Sequence, residues 1–317
     1  MIIPVYRAAE SINELYLRLT ATLDACVPTR FEIVFIEDCG GDDSWDIIQG
    51  IAATDPRVRG FQMSRNYGQH NALLCGIRAA RGDLILTMDD DLQHPPEELP
   101  KLLAKLEEGY DVVYGPPETT QHGLARDLAS LITKFILQKA IGAETARRAS
   151  ALRVFRTRLR EAFSGYQSPF VSIDVLLTWA TTHFTYVPVR HEPRQRGQSG
   201  YSLRKLFDHA ANMVTGFSTL PLQIASIMGF IFSLFGMAIL GYVLLRYLWS
   251  GSSVPGFPFL ASIIAIFSGV QLFALGILGE YLARIHFRTM NRPAYLVRRQ
   301  TDGEHTTHPD HPKPMEL

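Results

Sequence analysis

The 317-residue chain has only three cysteines, Cys26, Cys39 and Cys75, without the count or spacing of a disulfide framework or a zinc site. A reducing, cytosol-facing compartment is the simplest reading of that scarcity. Neither charge sign is in excess, since 31 Lys+Arg against 31 Asp+Glu leave zero formal net charge. A chain-wide polyanion-binding surface is therefore not expected, and nucleic acid is not expected as a partner. No Gly-x-Gly-x-x-Gly follows the first strand and no Gly-x-x-x-x-Gly-Lys-Ser/Thr occurs, which weighs against a dinucleotide oxidoreductase and a P-loop NTPase. One long stretch also lacks charge: between Phe217 and Leu282 only Arg246 and Glu280 are formally charged. With a mean hydropathy of +0.04, this excludes a purely soluble protein, a disordered one and a small disulfide scaffold.

What the chain does have is two long apolar runs, Leu222 to Leu245 and Phe259 to Gly279. At about 1.5 Å per residue the first reaches about 36 Å, enough to cross a hydrocarbon core of about 30 Å with some tilt. Ser250 to Gly256 joins them as a short uncharged, turn-rich linker, so a transmembrane hairpin is preferred over two helices buried in a soluble core. Arg190, Arg194, Arg196, Arg204 and Lys205 precede the first run and Arg284, Arg288, Arg292, Arg298 and Arg299 follow the second, while the linker has no Lys or Arg. The positive-inside rule then puts both ends in the cytoplasm. Met1-Ile2-Ile3-Pro4 has neither a basic n-region nor an apolar h-region, so the large domain is expected to stay in the cytosol.

From the start to about Thr215, β-rich runs alternate with helical patterns. Strands are expected at Phe31–Ile36, Val58–Met63, Leu84–Met88 and Val112–Tyr114; helices at Ala9–Ala25, Ser44–Ala53, Gln69–Ala80 and Pro96–Glu108. Such alternation predicts an α/β domain with a mainly parallel sheet, whose ligands collect at the carboxyl ends of its strands. Leu124–Ile141 and Ser202–Val214 read as amphipathic helices, equally compatible with the membrane interface and with ordinary core packing. Thr301–Leu317, rich in His, Pro, Thr and Asp, reads as a disordered tail.

The sharpest motif is Asp89-Asp90-Asp91-Leu92-Gln93-His94-Pro95, directly after the Leu84–Met88 strand. Three carboxylates at one strand end repel one another unless a cation offsets them. In extended chain Asp89, Asp91 and Gln93 project to one side, an oxygen-rich set suited to Mg²⁺ or Mn²⁺ sharing its shell with substrate phosphates. A second acidic cluster, Glu37 to Ser44, follows the Phe31–Ile36 strand. Asp42, Asp43 and Ser44 are as well explained by turn and helix-cap roles, whereas Asp38 at the strand tip is suited to a ribose or base. A third segment, Arg194 to Ser202, sets Gly among Arg and Ser, suited to closing over phosphates and equally to lipid headgroups. Asp174, alone in an apolar helical stretch, is compatible with orienting an acceptor pocket and with a structural helix-start carboxylate.

In combination these pieces resemble GT-A glycosyltransferase family 2, and within it the polyprenyl-phosphate glycosyltransferase branch. The matching segments are Ile3-Pro4-Val5-Tyr6, Ile36-Glu37-Asp38, Ser64-Arg65-Asn66-Tyr67-Gly68-Gln69, Met88 to Pro95, Arg153 in Ala151-Leu152-Arg153-Val154-Phe155, the Arg196–Ser202 loop, Phe217 to Leu222 and Gly279-Glu280-Tyr281-Leu282. The resemblance implies a Rossmann-like GT-A cytosolic domain over 1–200, a juxtamembrane helix over 201–220, two membrane helices near 222–246 and 258–282, and a basic segment and tail over 284–317. It implies a nucleotide-diphosphate sugar as donor, a membrane polyprenyl phosphate, undecaprenyl phosphate in bacteria, as acceptor, Mg²⁺ or Mn²⁺ as cofactor, and homo-oligomers, a tetramer leading. By the same resemblance Pro4, Tyr6, Asp38 and Asp90 hold the nucleoside, Asp89, Asp91 and Gln93 the metal, and Arg196 the diphosphate. Arg126, Ser130, Arg153 and Ser199 receive the acceptor phosphate, and Asp89, Asp91 and Arg196 carry catalysis.

The chain departs from the family pattern at Arg7-Ala8, where Asn-Glu is common, at Cys39-Gly40, at Pro116-Pro117 and at Gly200. Two other readings compete with this one. A processive polysaccharide synthase carries a Gln-x-x-Arg-Trp motif and more membrane helices, which the sequence lacks. A non-catalytic subunit of a glycan-export complex has no need of Asp89, Asp91 and Gln93.

Overall fold

The computed structural model describes residues 1–27, 31–118, 148–168, 171–192, 220–250, 256–290 and 292–301. The chain divides into a sheet-bearing unit, which includes the segment after Pro293, and a helical unit containing the apolar runs.

The sheet-bearing unit begins with β1 (Ile2–Val5), α1 (Ile12–Cys26), β2 (Ile33–Glu37), α2 (Ser44–Thr54), β3 (Val58–Met63), α3 (Gln69–Ala79) and β4 (Leu84–Thr87). A 3₁₀ turn (Pro96–Glu98) leads into α4 (Leu99–Glu107), followed by β5 (Val112–Tyr114), β6 (Arg153–Arg156), a second 3₁₀ segment (Thr157–Phe163), α5 (Ile173–Ala180) and β7 (Phe184–Tyr186). The sheet order is β7-β5-β6-β4-β1-β2-β3-β8, where β8 is Val297–Gln300. The β4-β1-β2-β3 block is parallel, as is the β5–β7 pair; β6 runs antiparallel to β4 and β5, and β8 antiparallel to β3. The expected parallel α/β sheet is thus present, with antiparallel strands inserted beside β4 and added at the β3 edge.

The reason for these elements is in the side-chain spacing. Every residue of β1 and β2 is buried, the continuous pattern of a central parallel strand covered on both faces. Along α1, Ile12, Leu15, Leu19 and Leu23 form one stripe against Ile3, Val5 and Phe35. β8 has its ends half-buried and Arg298 and Arg299 exposed, as suits an edge strand that must not recruit another chain. β1 lies between β2 and β4, so connections leave it in opposite directions and open a crevice at the carboxyl ends of β1 and β4.

The helical unit contains α6 (Leu220–Ser250) and α7 (Phe257–Thr289), packed together with Phe232 edge-on to Phe267. Windows Leu222–Ile239 and Ile266–Ala283 have mean hydropathies of 2.0 and 1.5, with only 6% and 0% of their residues buried. Helices so apolar and so exposed are unlike soluble-core helices; they have the length and surface of a transmembrane hairpin. The expected amphipathic helices at 124–141 and 202–214 and the tail beyond 301 fall outside the described residues.

Where α2 ends, Asp55 accepts hydrogen bonds from Arg57 Nε at 3.0 Å and Tyr16 Oη at 2.9 Å, and the Arg57 contacts lower its pKa from 3.8 to about 2. A depressed carboxyl stabilises the fold above its unfolded pKa and loses that contribution as pH falls through the folded value. Asp55→Asn should lower stability at pH 7 by on the order of 1 kcal/mol after solvent screening. In denaturant titrations the gap from wild type should narrow from about pH 4 downward and close near pH 2.

Candidate active site

Three loops leave the carboxyl ends of β1, β2 and β4, and each contains a non-glycine residue in the left-handed region: Arg7 (φ 56°), Cys39 (φ 55°) and Leu92 (φ 58°). These are the only such residues among those described. Each costs on the order of 1 kcal/mol and persists because surrounding bonds over-determine the loop. The bonds are mostly from backbone N–H groups to carboxylates.

Asp90 Oδ2 accepts the Tyr6 N–H at 2.9 Å, and the Asp90 carbonyl accepts from Ser11 Oγ at 2.7 Å. The acidic loop after β4 is thereby tied to the loop after β1. Asp91 Oδ1 accepts the Gln93 N–H at 3.1 Å, an Asx turn within the motif. Asp89 Oδ1 accepts from Gln69 Nε2 at 2.5 Å, linking the motif to the start of α3. Asp38, 3% exposed, accepts the N–H groups of Tyr67 and Gly68, each at 2.8 Å. Burial raises its carboxyl above the usual range, with Glu37 adding repulsion, and the two backbone bonds oppose that rise. Gly68 has φ +91°, a conformation that spares this turn the strain any L side chain would bring. Glu37 is 2% exposed; its Oε1 accepts the Gly40 N–H at 2.5 Å, and its Oε2 has no hydrogen-bond partner among the described residues.

The turn residues of the second cluster have structural work. Asp42 accepts from the Ala9 N–H and Ser44 Oγ, and Ser44 Oγ accepts the Ala8 N–H, so the β2–α2 and β1–α1 loops brace each other. Asp43 sits at the N-cap of α2 without a side-chain cap bond. Pro4 is buried in β1, while Tyr6 is 47% exposed with the Arg7 guanidinium 5.3 Å from its ring centre.

His94, which follows the metal-type residues, is buried edge-on against His191 and is pushed down to about 4 by burial first and His191 second. It is therefore neutral at physiological pH. The Glu192 N–H donates to the Gln93 carbonyl at 2.8 Å, fastening the 190–192 segment to the acidic loop.

Arg153 is 2% exposed on β6, opposite Thr87 of β4 and Tyr114 of β5. Its Nη1 pairs with Asp174 Oδ1, which also accepts from Tyr114 Oη at 3.0 Å. Asp174 lies in the first turn of α5. Its contacts make it a half-buried counter-ion to Arg153 at the start of the helix. Arg153 Nε is buried and has no hydrogen-bond partner among the described residues. Arg126, Ser130, Arg196 and Ser199 lie outside the described residues.

The structure thus brings Pro4, Tyr6, Asp38, Asp89, Asp90, Asp91 and Gln93 to the ends of three adjacent strands. Sequence reasoning missed Gln69 and Ser11 as partners of the acidic loop; Gln69 at least ended a quoted motif. Among the described residues no three His, Cys, Asp or Glu side chains group closely enough to cage a metal unaided. The acidic loop turns at Asp90–Gln93 instead of running extended, with Leu92 at φ 58°, so the expected one-sided row of Asp89, Asp91 and Gln93 does not follow from the backbone. As donor types, two carboxylates and an amide oxygen still suit a hard divalent ion that shares its shell with a diphosphate.

A parallel-centred sheet with an Asp-x-Asp loop at its switch point belongs to the GT-A class of glycosyltransferases. Comparison with known proteins is consistent and more specific: the chain belongs to Glycosyl transferase family 2, whose model matches residues 1–163. It is 36% identical over 309 residues to a Shewanella sediminis protein, covering 96% of this chain and 93% of the relative. It is 34% identical to relatives from Klebsiella pneumoniae (94% of this chain, 92% of the relative) and Yersinia pestis (96% and 94%). All three relatives are named undecaprenyl-phosphate 4-deoxy-4-formamido-L-arabinose transferase. Among solved structures, mannosyl-3-phosphoglycerate synthase from Rubrobacter xylanophilus matches with a TM-score of 0.50 at 19% identity, over 67% of this chain and 71% of that one. That likeness concerns fold alone.

Removing Asp174 leaves Arg153 charged, buried and unpaired. Asp174→Ala should destabilise the protein by about 3 kcal/mol, whereas Arg153→Met with Asp174→Leu should recover most of the loss. Denaturant midpoints of the single and double variants measure this directly.

Proposed function

We propose that this glycosyltransferase moves a sugar from a nucleotide-diphosphate donor to the phosphate of a membrane polyprenyl phosphate, with inversion at the anomeric carbon. The observation that carries the reading is the acidic loop Asp89–Gln93 at the open ends of β1 and β4, in a chain that also carries two exposed apolar helices. The relatives' name supports undecaprenyl phosphate as the acceptor and a 4-deoxy-4-formamido-L-arabinose donor as the first sugar to test. Exposed apolar surface on α6 and α7 supports an inner-membrane hairpin with both ends cytoplasmic. The same surface suits packing into a homo-oligomer, a tetramer by family resemblance.

In this mechanism the acceptor phosphate is already an anionic nucleophile at neutral pH, so no strong general base is needed. One of its oxygens forms a bond to the anomeric carbon as the bond from that carbon to the donor's diphosphate oxygen breaks, and the nucleoside diphosphate departs with the electron pair. Asp89, Asp91 and Gln93 would hold Mg²⁺ or Mn²⁺. When bound, that ion supplies positive charge against the leaving diphosphate. Arg196 shares this task, and Arg126, Ser130, Ser199 and Arg153 receive the acceptor phosphate. Tyr6 offers its exposed ring to the base above Pro4. Asp38 and Asp90 serve the donor by fixing the 67–68 turn and the Tyr6 backbone.

The test is transfer of labelled sugar to polyprenyl phosphate by purified protein across a panel of nucleotide sugars. Activity should require Mg²⁺ or Mn²⁺, vanish with EDTA, and fall by about 10²-fold or more in Asp91→Asn, the scale of several kcal/mol of lost charge stabilisation. NMR of the product should give the anomer opposite to the donor's. Metal-independent transfer or retained configuration would each refute the mechanism.

A further inference from the structure

We infer that the segment following the second apolar helix is a positioning part of the donor site: Tyr295, Leu296 and β8 hold the Ser64–Gln69 turn in the shape that Asp38 and Asp89 require. The inference rests on the donor-site reading above and extends it to residues beyond the apolar helices.

Neighbouring residues of this segment hold the start of the turn and the helix that follows it. At its start, where β3 finishes, the Leu296 carbonyl accepts both the Ser64 N–H at 2.9 Å and Ser64 Oγ–H at 2.8 Å. At its far end the turn becomes α3, and in the second half of that helix the Tyr295 side chain lies beside Cys75 and Arg78. The Arg78 guanidinium also lies 5.7 Å from the Tyr295 ring centre and donates to the carbonyls of Ser164 and Tyr166. Ala294, just before, is buried. Between these two grips are the Tyr67 and Gly68 N–H groups on Asp38 and the Gln69 amide on Asp89. The acidic sites are therefore connected to residues 295–296 through one short turn.

β8 fixes the segment in register. Phe61 pairs with Gln300, Gln62 with Arg299 and Met63 with Val297, with an irregularity between Gln62 and Met63 that lies next to Ser64. Gly60 and Thr301 exchange bonds, Gly60 N–H to Thr301 Oγ1 at 2.9 Å and Thr301 N–H to the Gly60 carbonyl at 3.0 Å. A Cβ on Gly60 would come within 2.5 Å of Ile48 Cγ2 and 2.9 Å of Thr301 Cγ2, so this close approach requires glycine. Ser64 and Leu296 are 232 positions apart, with both apolar helices between them.

The test uses full-length protein in nanodiscs, comparing wild type with Tyr295→Ala and Tyr295→Phe. Cys75 alkylation reports docking of the segment, with exposed Cys39 as internal reference. Hydrogen exchange over residues 64–72 reports the turn, and donor KM against kcat reports the site. In Tyr295→Ala all three should move together: alkylation and exchange faster by about 10-fold, donor KM raised by a similar factor, and kcat within about 3-fold. Tyr295→Phe, which keeps the ring over Arg78, should stay within about 3-fold of wild type. Protected Cys75 in Tyr295→Ala, or reactive Cys75 with unchanged exchange at 64–72, would overturn the inference, as would a loosened turn with unchanged donor KM. If Tyr295→Ala unfolds globally, Ser64→Ala takes its place in the exchange and KM measurements, with the turn and the donor again expected to weaken together. A wild-type protein that uses no nucleotide sugar refutes the proposed function, while exchange at 64–72 still decides whether the segment braces the turn.

Discussion

Mutual repulsion among acidic side chains is the constraint around which the catalytic unit is arranged. Glu37 and Asp38 end or follow β2, and Asp89, Asp90 and Asp91 follow β4, two strands that flank β1. In the described contacts, this charge is met chiefly by backbone N–H groups of Tyr6, Gly40, Tyr67, Gly68 and Gln93, together with the Gln69 amide.

The same bonds explain how a strained set of loops keeps one shape. Arg7, Cys39 and Leu92 each occupy a conformation costly for an L residue, each in a loop held by those carboxylates or by the backbone around them. Arg7 Nε donates to the Gly40 carbonyl, so the loop after β1 is tied to the loop after β2 as well as to Asp90. Asp38 and Asp90 therefore act first as architectural groups. Buried Arg153 and half-buried Asp174 extend the pattern to the other side of β4, where a paired charge joins β6 to α5.

Much of this was legible in the sequence. β3 and β5 run over the residues expected, and the other strands and helices expected between Ala9 and Glu108 differ at their ends by a few residues. Those elements are made of apolar runs or stripes, which local spacing reveals. The acidic motif was also legible, because three consecutive carboxylates at a strand end demand an explanation. β6 (Arg-Val-Phe-Arg), β7 (Phe-Thr-Tyr) and β8 (Val-Arg-Arg-Gln) were not read as strands. They are short, and two of the three carry arginines, so their pairing depends on partners distant in sequence. The role of Asp174 stayed open for the same reason: its partners, Arg153 and Tyr114, come from separate strands.

The position of β8 also fixes an order of events during synthesis. The edge of β3 remains open until the chain has been made past Thr301, after both apolar helices have emerged. For a nascent chain threading into a bilayer, anchoring precedes completion of the catalytic sheet. A polypeptide stalled or cleaved before this point retains an unpaired strand edge, the kind of surface that quality-control proteases and chaperones engage. Closing of the β3 edge by β8 is thus confined to chains made through both apolar helices.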